Sequence, residues 1–156
     1  IRAMPNTPAA IGKGMTAIFS DSALEQTIKS EAEALFSAIG KYCWIDDEDY
    51  MHLITAVSGS GPAYYYLLTE CLIQIATSRG LERDIAALLV EQTFTGSAAL
   101  AETFPSISPT QHRQNVTSPG GTTEAALKIL MEDDKLKKLL DLAINSAAER
   151  SKNLSK

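Results

Sequence analysis

Tyr42-Cys-Trp-Ile-Asp-Asp-Glu-Asp-Tyr50 divides this chain into two kinds of sequence. Tyr42 to Ile45 are β-formers, Asp46 to Asp49 form a polar turn, and Tyr50 opens a long helical stretch. Working back from it, Met15-Thr-Ala-Ile-Phe19 reads as a short strand. Between the two strands, Leu24, Ile28, Leu35 and Ile39 recur at helical spacing, with Asp21 or Ser22 placed to cap that helix and Gly40 to end it. Arg2 to Pro8 holds two prolines, which forbid a helix and favour extended backbone. Working forward, the spacing predicts helices from Tyr50 to about Ser78, Arg83 to about Thr103, Thr122 to Met131 and Lys135 to about Leu154. No strand signal returns. Gly80 and the Pro105–Pro109 segment separate the helices, and the last helix carries Leu136, Leu139, Leu140, Ala143 and Ala147 on one stripe. The order is strand, strand, helix, strand, then helices only.

Composition narrows the function classes. The 156 residues suffice for one domain, or one domain and a piece of another, with 45% hydrophobic and 21% charged residues as in ordinary globular chains. A net charge of -5 with no basic stripe argues against nucleic acid. Apolar runs such as Ile85 to Val90 fall short of a membrane span. Cys43 and Cys71 are too isolated for a disulfide framework or a zinc site, which points to the cytoplasm. The first residue is Ile1 rather than Met, so a processed chain or a fragment is expected.

Two stretches give up local stability without a local reason. Ser58-Gly-Ser-Gly-Pro-Ala63 falls inside a predicted helix, where glycine costs about 1 kcal/mol and interior proline about 3 kcal/mol relative to alanine. A second backbone or a ligand pressed against the small residues would offset that, with a kink at Pro62. Tyr64, Tyr65 and Tyr66 then face different sides of one helix, which implies more than one packed face and a partner subunit. The second stretch is Val116-Thr-Ser-Pro-Gly-Gly-Thr-Thr-Glu124. Pro119 fixes one torsion, Gly120 and Gly121 permit positive φ, and Thr122, Thr123 and Glu124 supply first-turn chemistry to a helix. A helix start leaves unpaired N–H groups and partial positive charge, suited to a small carboxylate or phosphate. The stretch fits both such a site and a sharp connector.

Other motifs carry less. Gly12-Lys-Gly-Met-Thr-Ala17 matches a dinucleotide glycine pattern but lacks the strand before and the helix after it, and reads as a turn between strands. His52 and His112 have no metal-ligand spacing, and Asp46 to Asp49 lack the glycine of a calcium loop, so no metal is expected.

Together Met4-Pro-Asn-Thr-Pro8, Thr55-Ala-Val-Ser-Gly-Ser-Gly-Pro-Ala-Tyr64 and Asn115-Val-Thr-Ser-Pro-Gly-Gly-Thr-Thr-Glu124 resemble pyrroline-5-carboxylate reductase. The likeness runs the whole chain in the family's order. It implies a mainly α fold: a helical dimerisation domain, an interlocked bundle, preceded by the last strands and a helix of a Rossmann-like α/β domain. It implies a remnant of the dinucleotide-binding domain over 1–48 and the helical dimerisation and substrate-binding domain over 49–156. The family's earlier part, with its glycine fingerprint, has no counterpart here. His112 stands where an apolar residue is usual, and Ser106-Ile-Ser108 where the family is more polar.

The implied activity is reduction of 1-pyrroline-5-carboxylate to L-proline by NADPH or NADH. Ser118, Gly120, Gly121, Thr122 and Thr123 would hold the substrate, with Thr123 as the catalytic hydroxyl at the imine nitrogen. Met4, Asn6 and Asn115 would face the cofactor. The implied partners are a second copy of the chain, as a homodimer or a ring of dimers, and neither nucleic acid nor membrane. An inactive dimerisation module and an imino-acid binding protein are the alternatives.

Overall fold

The computed structural model describes residues 1–155, in two compact units: 1–65 with 140–156, of which Lys156 is not described, and 66–139. The first unit contains all three strands among the described residues, and the second is helical.

In the first unit β1 (Arg2–Met4), β2 (Gly14–Phe19) and β3 (Gly40–Trp44) form a sheet in that order. β1 runs antiparallel to β2 with Arg2 opposite Phe19, and β2 runs parallel to β3 with Gly14 opposite Gly40 and Ile18 opposite Trp44. A parallel pair needs a crossover, and α1 (Gln26–Ser37) provides it. Thr16, Ala17 and Ile18 at the centre of β2 are buried, as is Ala32 of α1. Trp44 secures α1 to the sheet: its Nε1 donates to Glu33 Oε1 at 2.8 Å, and Lys29 Nζ stands 5.5 Å from its ring centroid.

The α1 boundaries differ from the sequence expectation. Neither Asp21 nor Ser22 caps it; Ser20 Oγ donates to Ser22 O, a local bend that competes with helix, and α1 starts only at Gln26. Nor does Gly40 end it. Gly40 opens β3 at φ +148, where an added Cβ would stand 2.1 Å from Gly14 O, so glycine is required by the approach of two backbones. Ile28 and Leu35 of the expected apolar stripe are exposed. Pro8 is not in extended chain either: it stands in the first turn of a 3-10 helix over Thr7–Ile11, where its missing N–H leaves no bond unmade.

The predicted helix from Tyr50 is three pieces: α2 (Tyr50–Ile54), a π turn over Thr55–Gly59, and α3 (Gly61–Ser78). The break therefore lies upstream of Pro62, which falls harmlessly in the first turn of α3. Ser60 N donates to Thr55 O at 2.8 Å, the i→i−5 bond of a π turn. Side chains collect other carbonyls of the turn: Tyr64 Oη donates to Ala56 O at 2.8 Å, and Asn6 Nδ2 to Ser58 O at 3.3 Å. Ala56 within the turn and Met51 just before it are fully buried. From the far end of the chain Ser151, on α7 (Lys135–Leu154), meets His52 Nδ1 at 3.0 Å.

The second unit contains the rest of α3, α4 (Arg83–Thr103), α5 (Pro109–Asn115), α6 (Thr122–Met131) and the start of α7. Gly80 at φ +97 closes α3, with Leu81 N bonded back to Ala76 O and Gly80 N to Thr77 O in a Schellman arrangement. Tyr66 and Phe94 meet edge to face with centroids 6.5 Å apart. α5 was not expected; Ser108 Oγ accepts from Gln111 N and Pro109 occupies the first turn, which is the start signal that a proline-rich reading hides. Among the described residues 66–139 only Ala86 is buried, while Leu67, Leu88, Leu89, Ile129 and Leu139 are each more than half exposed. These helices have apolar faces with nothing over them in a single chain.

Candidate substrate-holding loop and its neighbours

The run at 116–124 is built from α5 onward. Thr117 Oγ1 donates to Arg113 O at 2.6 Å and Thr117 N to Gln114 O at 3.0 Å, which closes α5 and starts the loop. Gly121 N then donates to Ser118 O at 3.0 Å, so Ser118-Pro119-Gly120-Gly121 is a β-turn with Gly120 at φ +70. Proline second and a left-handed glycine third is the type II pattern. A Cβ on Gly121 would come within 2.9 Å of Ser118 O, so that glycine is needed for closeness rather than torsion.

Gly121 is the N-cap of α6, at φ -83 and ψ 173, and carries no side-chain cap. The threonines therefore do not cap the helix; they fill its first turn, and Glu124 reaches back to accept from Gly120 N at 2.7 Å. The N–H groups of Thr122 and Thr123 occupy positions that have no acceptor inside a helix. Thr123 is half-buried, and Ser118, Gly120 and Thr122 are exposed. An open cavity of about 700 Å³ lies against the turn, lined by Arg113, Thr117, Gly120, Gly121, Glu124 and Lys128 among others. Ser118, Thr122 and Thr123 do not line it. Asn115 ends α5, with its Oδ1 accepting from Gln111 Nε2 at 2.8 Å.

The other expected contacts, Met4 and Asn6, lie in the first unit at the end of β1 and just beyond it. Met4 packs its thioether on Gly59, where a Cβ would meet Sδ at 3.3 Å. Asn6 spans two elements: Oδ1 accepts from Met15 N at 2.9 Å while Nδ2 donates to Ser58 O. The small residues of the Ser58–Ala63 run thus have a neighbour pressed on them, the Met4–Asn6 segment. The tyrosine hydroxyl and asparagine amide serving the π turn were not foreseen; a tyrosine beside a glycine run is too common to signal it, and Asn6 lies 52 residues away in sequence.

The glycines of the 12–17 run serve two backbone turns. Gly12 ends the 3-10 helix at φ +70, and Gly14 opens β2 against Ala9 and Ile39. No helix follows them, so they cradle no phosphate. Among the described residues no group of three or more His, Cys, Asp or Glu side chains is placed to hold a metal ion, and no helix is long and apolar enough to cross a membrane.

Comparison with known proteins gives one answer. The family model described as pyrroline-5-carboxylate reductase dimerisation matches residues 48–154. Pyrroline-5-carboxylate reductases of Pasteurella multocida and Synechocystis sp. are 39% and 42% identical over 156 residues, all of this chain, but 56% and 57% of their own lengths. The chain therefore spans little more than half of these relatives. A solved pyrroline-5-carboxylate reductase from Coxiella burnetii superimposes with a TM-score of 0.91 at 44% identity, covering 99% of this chain and 57% of that one. A Plasmodium falciparum pyrroline carboxylate reductase solved with NADP bound gives 0.81 at 34% identity, covering 99% and 62%.

Proposed function

Because the chain belongs to the pyrroline-5-carboxylate reductase dimerisation family, we propose that it forms the helical, substrate-holding part of an enzyme reducing 1-pyrroline-5-carboxylate to L-proline. Residues 49–156 are this part and residues 1–48 the end of a dinucleotide-binding domain. The observation that carries the reading is the Ser118–Gly121 turn, which delivers unpaired N–H groups of a helix start beside a half-buried threonine.

The substrate is a five-membered imine with one carboxylate. The loop around Gly120, Gly121 and Thr122, with the Ser118 hydroxyl, binds that carboxylate at the positive end of α6; Gly121 shapes the turn through its own N–H bond to Ser118 O, and the N–H groups of Gly120 and Thr122 are the donors. The Thr123 hydroxyl stands at the imine nitrogen, where it orients the ring and relays the proton that the product amine carries. NADPH or NADH, when bound, supplies the hydride for the C=N carbon. Of this chain, Met4 and Asn6, beside the π turn of the first unit, and Asn115, at the end of α5 in the second, are the residues that would contact the cofactor, each taken within its own unit. Asn6 uses both groups of its amide on Met15 N and Ser58 O, so toward a nicotinamide it would offer position rather than a free donor, and none of the described glycine turns fits a pyrophosphate.

The uncovered apolar faces of α3, α4, α6 and α7 fit a second copy of the chain, in a homodimer or a ring of dimers. Calorimetric titration of the protein with NADPH and with L-proline tests the reading. Binding of both supports a reductase, proline alone an imino-acid binder, and neither a dimerisation module. In the reductase, Thr123→Ala lowers kcat by about 10²-fold or more, the usual range for a lost proton-transfer group; full turnover in that variant removes Thr123 from the mechanism.

A further inference from the structure

We propose that Glu124 sets how tightly the loop takes a carboxylate: it occupies the Gly120 N–H until the substrate displaces it toward Lys128. This rests on the functional reading above. Glu124 brings to the turn the same chemical group that the substrate brings, tethered at the third residue of α6. Its Oε2 accepts from Gly120 N at 2.7 Å, within the range of charge-assisted bonds and stronger than a neutral pair. An incoming carboxylate that uses this N–H competes with it directly.

The displaced side chain has somewhere to go. Lys128 stands four residues further along α6, and glutamate before lysine at that spacing is the favourable order. Among the described residues Lys128 has no ion pair. Both side chains line the cavity against the turn, as does Arg113, whose guanidinium donates to the Met131 sulfur at 3.2 Å. A thioether is a weak acceptor for a full positive charge. The cavity thus holds two cations without a carboxylate partner, while the nearby carboxylate is held at a backbone N–H. Moving Glu124 to Lys128 frees the N–H, pairs one cation, and relieves the repulsion between two anions at one donor.

A plain helix cap makes the opposite forecast. If Glu124 only steadies the turn, removing its charge loosens the loop and weakens every substrate. The experiment measures steady-state reduction of 1-pyrroline-5-carboxylate, and of 1-pyrroline, which has the imine but no carboxylate. It compares the protein with Glu124→Gln, Lys128→Gln and the double variant. Glu124→Gln should lower KM for the carboxylate substrate about three- to tenfold, the difference between charged and neutral acceptors. Lys128→Gln should raise it about twofold, as expected for one helical ion pair, and should have no effect in the Glu124→Gln background. kcat, and KM for 1-pyrroline, should not move. An unchanged or raised KM in Glu124→Gln, or equal shifts for both imines, overturns the proposal. If the protein binds neither NADPH nor L-proline, the functional reading fails instead; where it binds them but turns over neither imine, the competition is read from the Gly120 amide resonance titrated with acetate. Half-saturation at lower acetate in Glu124→Gln supports the competition, and equal half-saturation overturns it.

Discussion

Thr16 is fully buried at the centre of β2, and among the described residues its hydroxyl has no hydrogen-bond partner. A hydroxyl removed from water without compensation is a standing cost of about 1–3 kcal/mol by protein mutational data. Thr16→Val keeps the shape and removes the hydroxyl, so it should raise unfolding stability by about 1 kcal/mol, measured as a higher denaturant midpoint at unchanged slope. Such positions are invisible in sequence, since threonine in a strand is ordinary. The turn at Pro119-Gly120 and the helix start at Thr122 were legible, because proline with paired glycines marks the one and paired threonines with an acid mark the other. Glu124 was legible as first-turn chemistry; its reach to Gly120 was not, because an acid at a helix start has many outlets.

Among the elements, α4, α6 and α7 have the extents their apolar spacing predicts, and β2 and β3 sit within a few residues of expectation. The failures share a cause: tertiary contacts overrode local signals. Gly40 reads as a helix end and is instead a strand start, set by the approach of β3 to Gly14. The kink read at Pro62 lies instead upstream, in the π turn over Thr55–Gly59 supported by Asn6 and Tyr64. The joint between α6 and α7 stores strain of its own. Asp133 and Asp134 lie at φ 50 and φ 56, left-handed backbone that costs a non-glycine residue about 1–2 kcal/mol each, while Lys135 pairs with Glu132 across the joint. Asp133→Gly should therefore stabilise by roughly 0.5–1 kcal/mol after the added entropy of the unfolded chain is deducted. Thermal unfolding checks it, and a lower midpoint would show that the aspartate is held there by a favourable contact.

At the scale of the molecule, the exposed leucines of α3, α4 and α7 leave the second unit without a core of its own. A domain whose apolar faces close only against another copy unfolds and dissociates together. Its thermal midpoint should then rise with protein concentration, and sedimentation should show no folded monomer at micromolar concentration; a midpoint independent of concentration would mean the faces close within one chain. Three adjacent tyrosines imply a partner subunit in the sequence, but not which faces lie open, because that depends on how helices are phased about their axes. For α3 the π turn sets that phase. It is one residue more than a regular helix needs, and a regular helix advances about 100° per residue. Deleting one residue between Thr55 and Gly59 would mend the hydrogen-bond ladder and turn every side chain of α3 by about that angle. The irregularity is thus a counting device, an inserted residue whose worth is the direction it gives to the eighteen residues of α3 that follow.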